Sequence, residues 1–196
     1  EAKVLLISHL GRPKDFKDRN LSLKPVYEYL KGRINNNIYF YEDKITNLTK
    51  DKISFLKNSE IIVFENIRLN DGEIKNDENF AKNLSSLGDV YINDAFSCAH
   101  RKQTSIHKIT KHISNSYAGP LFMKEVQSIN MVLNSKKNPT TCIIGGSKIS
   151  TKLGVIATLI KKVDHLIIVG AMANNFIKFK GNKIGKSLIE ANSEKI

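Results

Sequence analysis

Short apolar runs separated by amphipathic stretches constrain the fold of this chain more than any other feature. The runs are rich in valine, isoleucine and aromatic residues and alternate little between apolar and polar positions, which is typical of strands buried on both faces of a parallel sheet. We therefore expect strands at Val4–Ile7, Ile38–Tyr41, Ile61–Phe64, Val90–Ile92, Thr141–Ile144 and Leu166–Val169.

The stretches between these runs predict helices. One is expected at Leu23–Ile34 and another at Asn76–Leu87, with Gly88 in the position of a C-terminal cap. A third follows from the shared face of Leu153, Ile156 and Ile160. The alternation of strands and helices predicts an α/β fold.

A further helical face suggests how the chain is divided. Phe122, Val126, Ile129 and Leu133 recur at helical spacing, between the loop 114–120 and the segment 136–139. An ordinary core helix would give the same pattern, but its flanks also suit a connector between two units. We place the domain boundary around this helix.

The composition leaves several classes of partner open. The 31 basic and 19 acidic residues give a formal net charge of +12, which fits a solvated lysine-rich surface, a phosphorylated small substrate or a nucleic acid. The lysines are scattered and no stripe combines basic with aromatic residues, so a nucleic-acid platform has weak support. No apolar run approaches the roughly 20 residues of a membrane helix.

Two sequence features bear on compartment and completeness. Cys98 and Cys142 form no CxxC pair, so we expect a reducing, cytoplasmic environment. Glu1, rather than Met, leads almost directly into the first apolar run, and we therefore expect a truncated N-terminus.

Three predicted strands each end near an arginine. His9 and Arg12 follow the first strand, Arg68 follows the third and Arg101 follows the fourth. Ligands of open α/β sheets bind beyond the carboxyl ends of the strands, and arginine offers two parallel hydrogen bonds to phosphate or carboxylate. Together these residues predict a basic anion pocket at one edge of the sheet.

Each of these segments also has a plainer interpretation. The segment 8–13 fits an exposed turn, and Glu65 and Arg68 fit a surface ion pair. Asn93 and Asp94 fit side chains that cap a turn.

The segment Gly145–Lys148 predicts a phosphate loop. Glycines after a strand let backbone amides approach a phosphate, and we expect Lys148 and Lys152 on one helical face at i, i+4. The loop is not a Walker A motif, and Gly181–Ser187 has one intervening residue too few to be one. Gly170 and Ala171, after the last predicted strand, fit either a nucleotide-packing turn or an ordinary strand–helix connection.

Six motifs carry a resemblance to a known family. The segments SHLGRPK, ENIR, DVYINDAFSCAHR, AGPLFMKEV, IGGSKISTK and IIVGAMANNF occur in the order typical of phosphoglycerate kinases, from Val4 to about Glu190. The resemblance implies an α/β fold of two Rossmann-like three-layer α/β/α domains with parallel sheets, both incomplete in this chain. Residues 1–118 would be the N-terminal phosphoglycerate-binding domain without its first strand, residues 119–136 an interdomain helix, and residues 137–196 the start of the nucleotide-binding domain.

The resemblance also implies a reaction and roles for individual residues. The family is a phosphotransferase of glycolysis with a carboxyl group as acceptor, and it passes a phosphoryl group reversibly from 1,3-bisphosphoglycerate to ADP, giving 3-phosphoglycerate and ATP. His9, Arg12, Arg68 and Arg101 match its phosphoglycerate-binding residues. Lys148 matches the catalytic lysine that accompanies the transferred phosphoryl group. Lys152 matches a catalytic lysine that contacts the nucleotide phosphates. The loops that line the nucleotide are matched by Gly146, Ser147, Gly170 and Ala171.

The partners implied are substrates. MgADP or MgATP would bind as substrate, and no nucleic acid or membrane partner is expected. The full-length enzyme would be a monomer in the cytoplasm. One position and one short segment depart from the family pattern. Gln103 stands where a histidine is usual, and Val169, Gly170 and Ala171 stand where three glycines are usual.

The parts of the family pattern that this chain lacks matter more than its departures. A first strand carrying an Asp, an Asn and a catalytic Arg would precede Glu1, and the acidic ligand of Mg²⁺ would follow Ile196. We therefore expect the Mg²⁺ ligand outside this chain and negligible kinase activity from the chain alone, which a detectable rate in a coupled assay would contradict. The rival interpretation is a decayed remnant that at most binds anions.

Overall fold

The computed structural model describes residues 2–14, 19–134 and 139–191, which form two compact units, Glu1–Lys124 and Glu125–Ile196. The strands are β1 Val4–Leu6, β2 Ile38–Tyr41, β3 Ile61–Phe64, β4 Tyr91–Asn93, β5 Ser116–Ala118, β6 Thr141–Gly145 and β7 His165–Val169. The α-helices are α1 Lys24–Lys31, α2 Asp71–Lys75, α3 Glu78–Ser86, α4 Pro120–Leu133, α5 Leu153–Leu159 and α6 Ala171–Phe179.

A parallel three-stranded sheet lies at the centre of the first unit. Its strand order is β1-β3-β2, and Ile61 of β3 aligns with Val4 on one side and Ile38 on the other. β3 is the central strand, and its residues Val63 and Phe64 are fully buried. The uninterrupted apolar run in the sequence thus corresponds to a strand covered on both faces, as a parallel α/β sheet requires.

A second parallel pair in the first unit joins β4 to β5. Tyr91 aligns with Ser116, so β4 lies one residue later than predicted, and Val90 is exposed. The sequence did not predict β5, because Ser116–Ala118 is short and not apolar enough to form a recognisable run.

The helix predicted at Asn76–Leu87 is wrong at its start, because α3 begins only at Glu78. Asn76 has φ 52° and ends α2 in the left-handed conformation. Asp77 then caps α3, since its Oδ1 accepts a hydrogen bond from Phe80 N at 2.8 Å. The helix ends at Ser86 with Leu87 as its C-cap, so Gly88 stands in the predicted position, but its φ is not positive and it forms no left-handed cap.

α1 is shorter than predicted, and the first unit ends within α4. α1 spans Lys24–Lys31 with Pro25 in its first turn. At the start of α4, Asp94 Oδ1 accepts a hydrogen bond from Phe122 N at 2.8 Å. The division between the two units falls within α4, which contains no buried residue.

The second unit is built on the parallel pair β6 and β7. Its core contains Ile149, Ile156 and Met172. The sequence predicted strands buried on both faces, but in the described residues one face stays open, and Ile143 is 67% exposed. The prediction was wrong here because an apolar run does not reveal what covers it.

The helical face predicted for α5 is only partly correct. Ile156 is buried, whereas Leu153 and Ile160 are exposed. In the described ranges of both units, no helix is long and apolar enough to cross a membrane.

Candidate functional site

The loop after β1 presents His9 and Arg12. Gly11 has φ 57°, a conformation that favours glycine, and a Cβ atom there would lie 2.8 Å from Leu21 Cδ2, which would have to move. Ile67 N donates to Ser8 O at 3.0 Å, which ties this loop to the end of β3.

Arg68 occupies the short 3₁₀ turn Ile67–Leu69 that follows β3. Asn66 caps this turn, since its Oδ1 accepts a hydrogen bond from Arg68 N at 3.1 Å. The arginine side chain is only 8% exposed, and its Nη1 donates to Gly11 O at 2.7 Å. Its Nη2 is buried without a hydrogen-bond partner among the described residues. A buried guanidinium nitrogen left free in this way is costly, and an anion is its natural complement.

Arg101 follows β4, and the turn before it contacts the loop that carries His9 and Arg12. It follows the 3₁₀ turn Phe96–Cys98, and Arg101 N donates to Cys98 O at 2.9 Å. Cys98 Sγ lies 4.0 Å from His9 Nε2, so this turn contacts the loop after β1. Arg101 Nε is buried and also lacks a partner in the part of the chain that the structure describes.

The electrostatics of these residues favour a bound anion. Burial lowers the pKa of Arg68, and the charges of Arg101 and, more weakly, Arg12 lower it further. Cys98 and Glu73 act in the opposite direction. The pKa of His9 is also lowered, first by burial and then by the charges of Arg68 and Arg101. The structure therefore brings His9, Arg12 and Arg101 within electrostatic reach of Arg68. We call these four residues the basic pocket.

The interpretation of Glu65 and Arg68 as a surface ion pair is wrong, because both residues are buried. Glu65 instead accepts hydrogen bonds from Ser22 Oγ at 2.6 Å, from Leu23 N at 2.7 Å and from Asn66 N at 2.7 Å. These bonds connect the end of β3, just before the turn that carries Arg68, to the start of α1.

Glu73 is a second buried carboxylate that the sequence did not reveal. It accepts hydrogen bonds from Ser105 N at 2.9 Å and from Ser105 Oγ at 2.6 Å. Burial raises its pKa, against the opposing effects of the Ser105 hydrogen bonds and the charge of Arg68. Burial, with a smaller effect of Glu73, also raises the pKa of Tyr91 to about 12. No sequence signal marks Glu73, since its partner is 32 residues away.

The predicted phosphate loop lies at the carboxyl ends of β6 and β7. These strands are parallel with Gly145 opposite Val169, so the two following loops are neighbours. Met172 N donates to Gly146 O at 2.8 Å, which joins the loops directly. Gly146 has φ 152°, and a Cβ atom there would lie 3.2 Å from Lys152 Cε.

The side chains around this loop differ in part from the prediction. Ser147 and Lys148 are exposed and Lys152 is half-buried. Lys148 precedes the 3₁₀ turn Ser150–Lys152 and is not helical, so the predicted shared helical face of Lys148 and Lys152 is wrong. Gly170, with φ 65°, directly precedes α6, whose first residue is Ala171.

Glu190 is a further carboxylate near this loop that sequence inspection missed. Its Oε2 accepts a hydrogen bond from Ser150 N at 3.0 Å, and its Oε1 accepts one from Ser150 Oγ. These bonds lower the pKa of Glu190, and Lys148 contributes to the shift. Gly181–Ser187, the apparent P-loop, follows α6 rather than a strand.

Comparison with known proteins gives consistent matches. A family model described as phosphoglycerate kinase matches residues 1–196. The phosphoglycerate kinase of Wolbachia sp. subsp. Drosophila simulans is 44% identical over 189 residues, which are 96% of this chain and 47% of the relative. That of Granulibacter bethesdensis is 42% identical over 190 residues, which are 97% of this chain and 48% of the relative. The chain thus spans about half the length of the curated relatives it matches.

Solved structures agree with these sequence matches. Phosphoglycerate kinase from Coxiella burnetii aligns with a TM-score of 0.77 at 35% identity, over 98% of this chain and 48% of that one. Phosphoglycerate kinase from Pyrococcus horikoshii aligns with a TM-score of 0.78 at 26% identity, over 94% of this chain and 47% of that one. The expected α/β fold with parallel sheets is confirmed, and the described sheets are small.

Proposed function

Because this chain belongs to the phosphoglycerate kinase family, we propose that it forms the phosphoglycerate-binding part and the start of the nucleotide-binding part of an enzyme that transfers a phosphoryl group reversibly from 1,3-bisphosphoglycerate to ADP. Residues 1–118 would bind phosphoglycerate, residues 119–136 would connect the domains, and residues 137–196 would begin the nucleotide domain. We place this enzyme in glycolysis in the cytoplasm, as a monomer when full length.

The observation that carries this proposal is the buried Nη2 of Arg68, which has no hydrogen-bond partner within the described ranges. It belongs to a pocket that also contains the buried, unpaired Nε of Arg101 and the imidazole of His9. Such a group of donors suits the phosphate or carboxylate oxygens of 3-phosphoglycerate. The direct test is calorimetric titration of the pure chain with this ligand. Binding is expected, and its absence would contradict the proposal for this chain.

The chemistry asks these residues mainly for positioning and charge neutralisation. In phosphoryl transfer the charge is spread over the oxygens of the transferred group, and cations placed beforehand stabilise it. Arg12, Arg68 and Arg101 would hold the substrate with its carboxyl end oriented. Lys148 would accompany the transferred phosphoryl group and Lys152 would neutralise nucleotide phosphates.

The nucleotide would lie against the loops after β6 and β7. Gly146 and Ser147 would approach the phosphates through their backbone, and Gly170 and Ala171 would line the nucleotide. The donors here are amides, a hydroxyl and lysines, which fit phosphate oxygens but not Mg²⁺, whose preferred ligands are carboxylates and water. The described residues contain no group of three or more His, Cys, Asp or Glu residues suited to a metal ion, and we derive no step through the metal from them.

Binding of 3-phosphoglycerate is expected to protonate His9 near pH 6. The pKa of this imidazole is lowered from its usual 6.5 in the free protein. A bound anion favours the charged form and raises the pKa again, so binding takes up protons. Calorimetry in two buffers of different ionisation enthalpy measures that uptake.

Two variants separate His9 from other titrating groups, including the phosphate of the ligand. His9→Asn should lower the proton uptake, whereas His165→Asn, at an exposed position on β7, should leave it unchanged. Equal uptake by His9→Asn and the wild type would contradict the role of His9. In the free protein, by contrast, protonation of His9 opposes folding. Since the folded pKa lies below the unfolded one, stability falls as pH falls below about 6.5.

Lys148→Ala and Lys152→Ala are each expected to weaken ADP binding roughly tenfold to a hundredfold. A hydrogen bond to a charged group contributes about 1.5–3 kcal/mol. Lys161→Ala removes the same charge from an exposed site after α5 and should leave the affinity for ADP nearly unchanged. Titration of the four proteins with ADP is the measurement, and equal losses in all three variants would assign the effect to net charge alone.

A further inference from the structure

Asn66 is fully buried between three segments of the first unit. Its Nδ2 donates to Leu10 O at 2.7 Å and to Leu21 O at 2.8 Å. Its Oδ1 accepts a hydrogen bond from Arg68 N at 3.1 Å. A single amide therefore connects the turn after β3 to the loop after β1 and to the segment that leads into α1.

Two side chains from the turn after β3 bind consecutive carbonyl groups of the loop after β1. Asn66 binds Leu10 O and Arg68 Nη1 binds Gly11 O, at 2.7 Å in each case. Arg12 is the next residue along this loop, so the direction in which its side chain leaves the backbone is set at these two carbonyls. Arg12 itself is exposed, and its charge acts on Arg68. The backbone that precedes Arg12 therefore helps to set the direction of this side chain.

Burial leaves few alternatives to this arrangement. The carbonyls of Leu10 and Leu21 both accept hydrogen bonds from the buried side chain of Asn66, and an amide supplies two donors and one acceptor at once. Neither Ser nor Asp supplies both donors, although both can cap the turn as acceptors. The amide thus does more than cap a turn.

We propose that Asn66 is a positioning residue, whose two amide donors hold the loop after β1 so that Arg12 faces the ligand of the basic pocket. This proposal rests on the function proposed above and extends it to a residue outside the pocket. Holding the loop before the ligand arrives lowers the ordering cost of binding. Asn66 acts through Arg12, so removing it should matter mainly while Arg12 is present.

A double-mutant cycle tests the proposal. Affinity for 3-phosphoglycerate is measured for the wild type, Asn66→Ser, Arg12→Ala and the double variant. Serine retains an acceptor for Arg68 N, so the turn keeps its cap, but it has a single, shorter donor in place of the two amide donors. We expect Asn66→Ser to weaken binding roughly tenfold in the wild-type background and to have little further effect beside Arg12→Ala, as for residues of one network.

Asn70 provides a matched control. It is equally buried, its Oδ1 accepts from Ile45 N at 3.0 Å and its Nδ2 donates to Ile67 O at 3.1 Å. Asn70→Ser therefore disturbs the same unit without releasing Leu10 or Leu21. Its effect on affinity should add to that of Arg12→Ala. If the Asn66 cycle is as additive as the Asn70 cycle, the positioning role is overturned.

A measurement without ligand keeps this proposal separate from the proposed function. Trypsin should cut after Lys14 several-fold faster in Asn66→Ser than in Asn70→Ser, at a temperature where circular dichroism shows both fully folded. If the wild type fails to bind 3-phosphoglycerate, the proposed function fails for this chain and the cleavage rates decide the positioning role alone. Equal cleavage rates in the two variants overturn it.

Discussion

Arg68→Ala is expected to abolish measurable binding of 3-phosphoglycerate by this chain. The guanidinium is buried, its Nη1 donates to Gly11 O, and its Nη2 has no partner in the described part of the first unit. Removing one partner of a buried, hydrogen-bonded charge pair costs about 2–5 kcal/mol or more, which is roughly thirtyfold to several-thousandfold in affinity. Isothermal titration of the wild type and the variant measures this loss.

Two further variants show whether position or charge is responsible. Arg33→Ala removes the same charge from an exposed residue that stacks on Tyr29 at 4.3 Å, and it should bind like the wild type. Arg68→Lys keeps the charge but not the planar fork, so binding should be only partly restored. If Arg68→Ala bound as tightly as Arg33→Ala, the basic pocket would not be the substrate site. If the wild type did not bind, the function proposed for this chain would be contradicted, and the site assignment would rest on the family resemblance alone.

The strands were the most predictable part of the fold. β2 and β3 occupy the predicted residues, because a buried parallel strand needs an apolar run that local sequence displays. β5 could not be predicted, since Ser116–Ala118 is defined by its pairing with Tyr91–Asn93 rather than by its own composition. The ends of α3 depend on Asn76 and Asp77, two residues that suit both a helix and the turn before it.

The cationic members of the site were predictable from the strand ends. Parallel strands deliver the residues that follow them to one edge of a sheet, and His9, Arg12 and Arg68 follow β1 and β3, which are neighbours. Arg101 was predicted too, but β4 pairs with β5 in a separate sheet, so the expectation of one sheet edge was wrong for it, and the contact between Cys98 and His9 brings its turn to this loop. The binding roles of these residues stay predictions until a ligand is titrated.

The buried residues that support the pocket were not predictable. Glu65, Asn66 and Glu73 resemble surface polar residues in the sequence, and only their distant partners explain why they can be buried. Leu23 N lies 42 residues from Glu65, and Ser105 lies 32 residues from Glu73. A buried carboxylate needs several donors, and a single sequence does not show which distant segments supply them.

Phe64→Ala is expected to lower the free energy of unfolding of the first unit by about 3–5 kcal/mol, the usual loss for a buried phenylalanine. Phe64 is fully buried at the end of β3, where its ring packs edge-on against Tyr41 with centroids 5.8 Å apart. Small domains are stable by about 5–15 kcal/mol, so the variant loses a large share of the total. Because Glu65 and Arg68 follow directly, the basic pocket should disappear in the same unfolding transition.

Tyrosine fluorescence during urea denaturation is the suitable measurement, because all six tyrosines lie within the first unit and the chain has no tryptophan. Phe55→Ala is the matched control, since Phe55 packs edge-on against Tyr39 at 5.2 Å but is 52% exposed. It should lose about 1 kcal/mol or less, as expected for an exposed aromatic pair. Equal losses in the two variants would contradict the central position of β3. A selective loss in Phe64→Ala would show that the strand carrying Arg68 to the pocket also holds the first unit together.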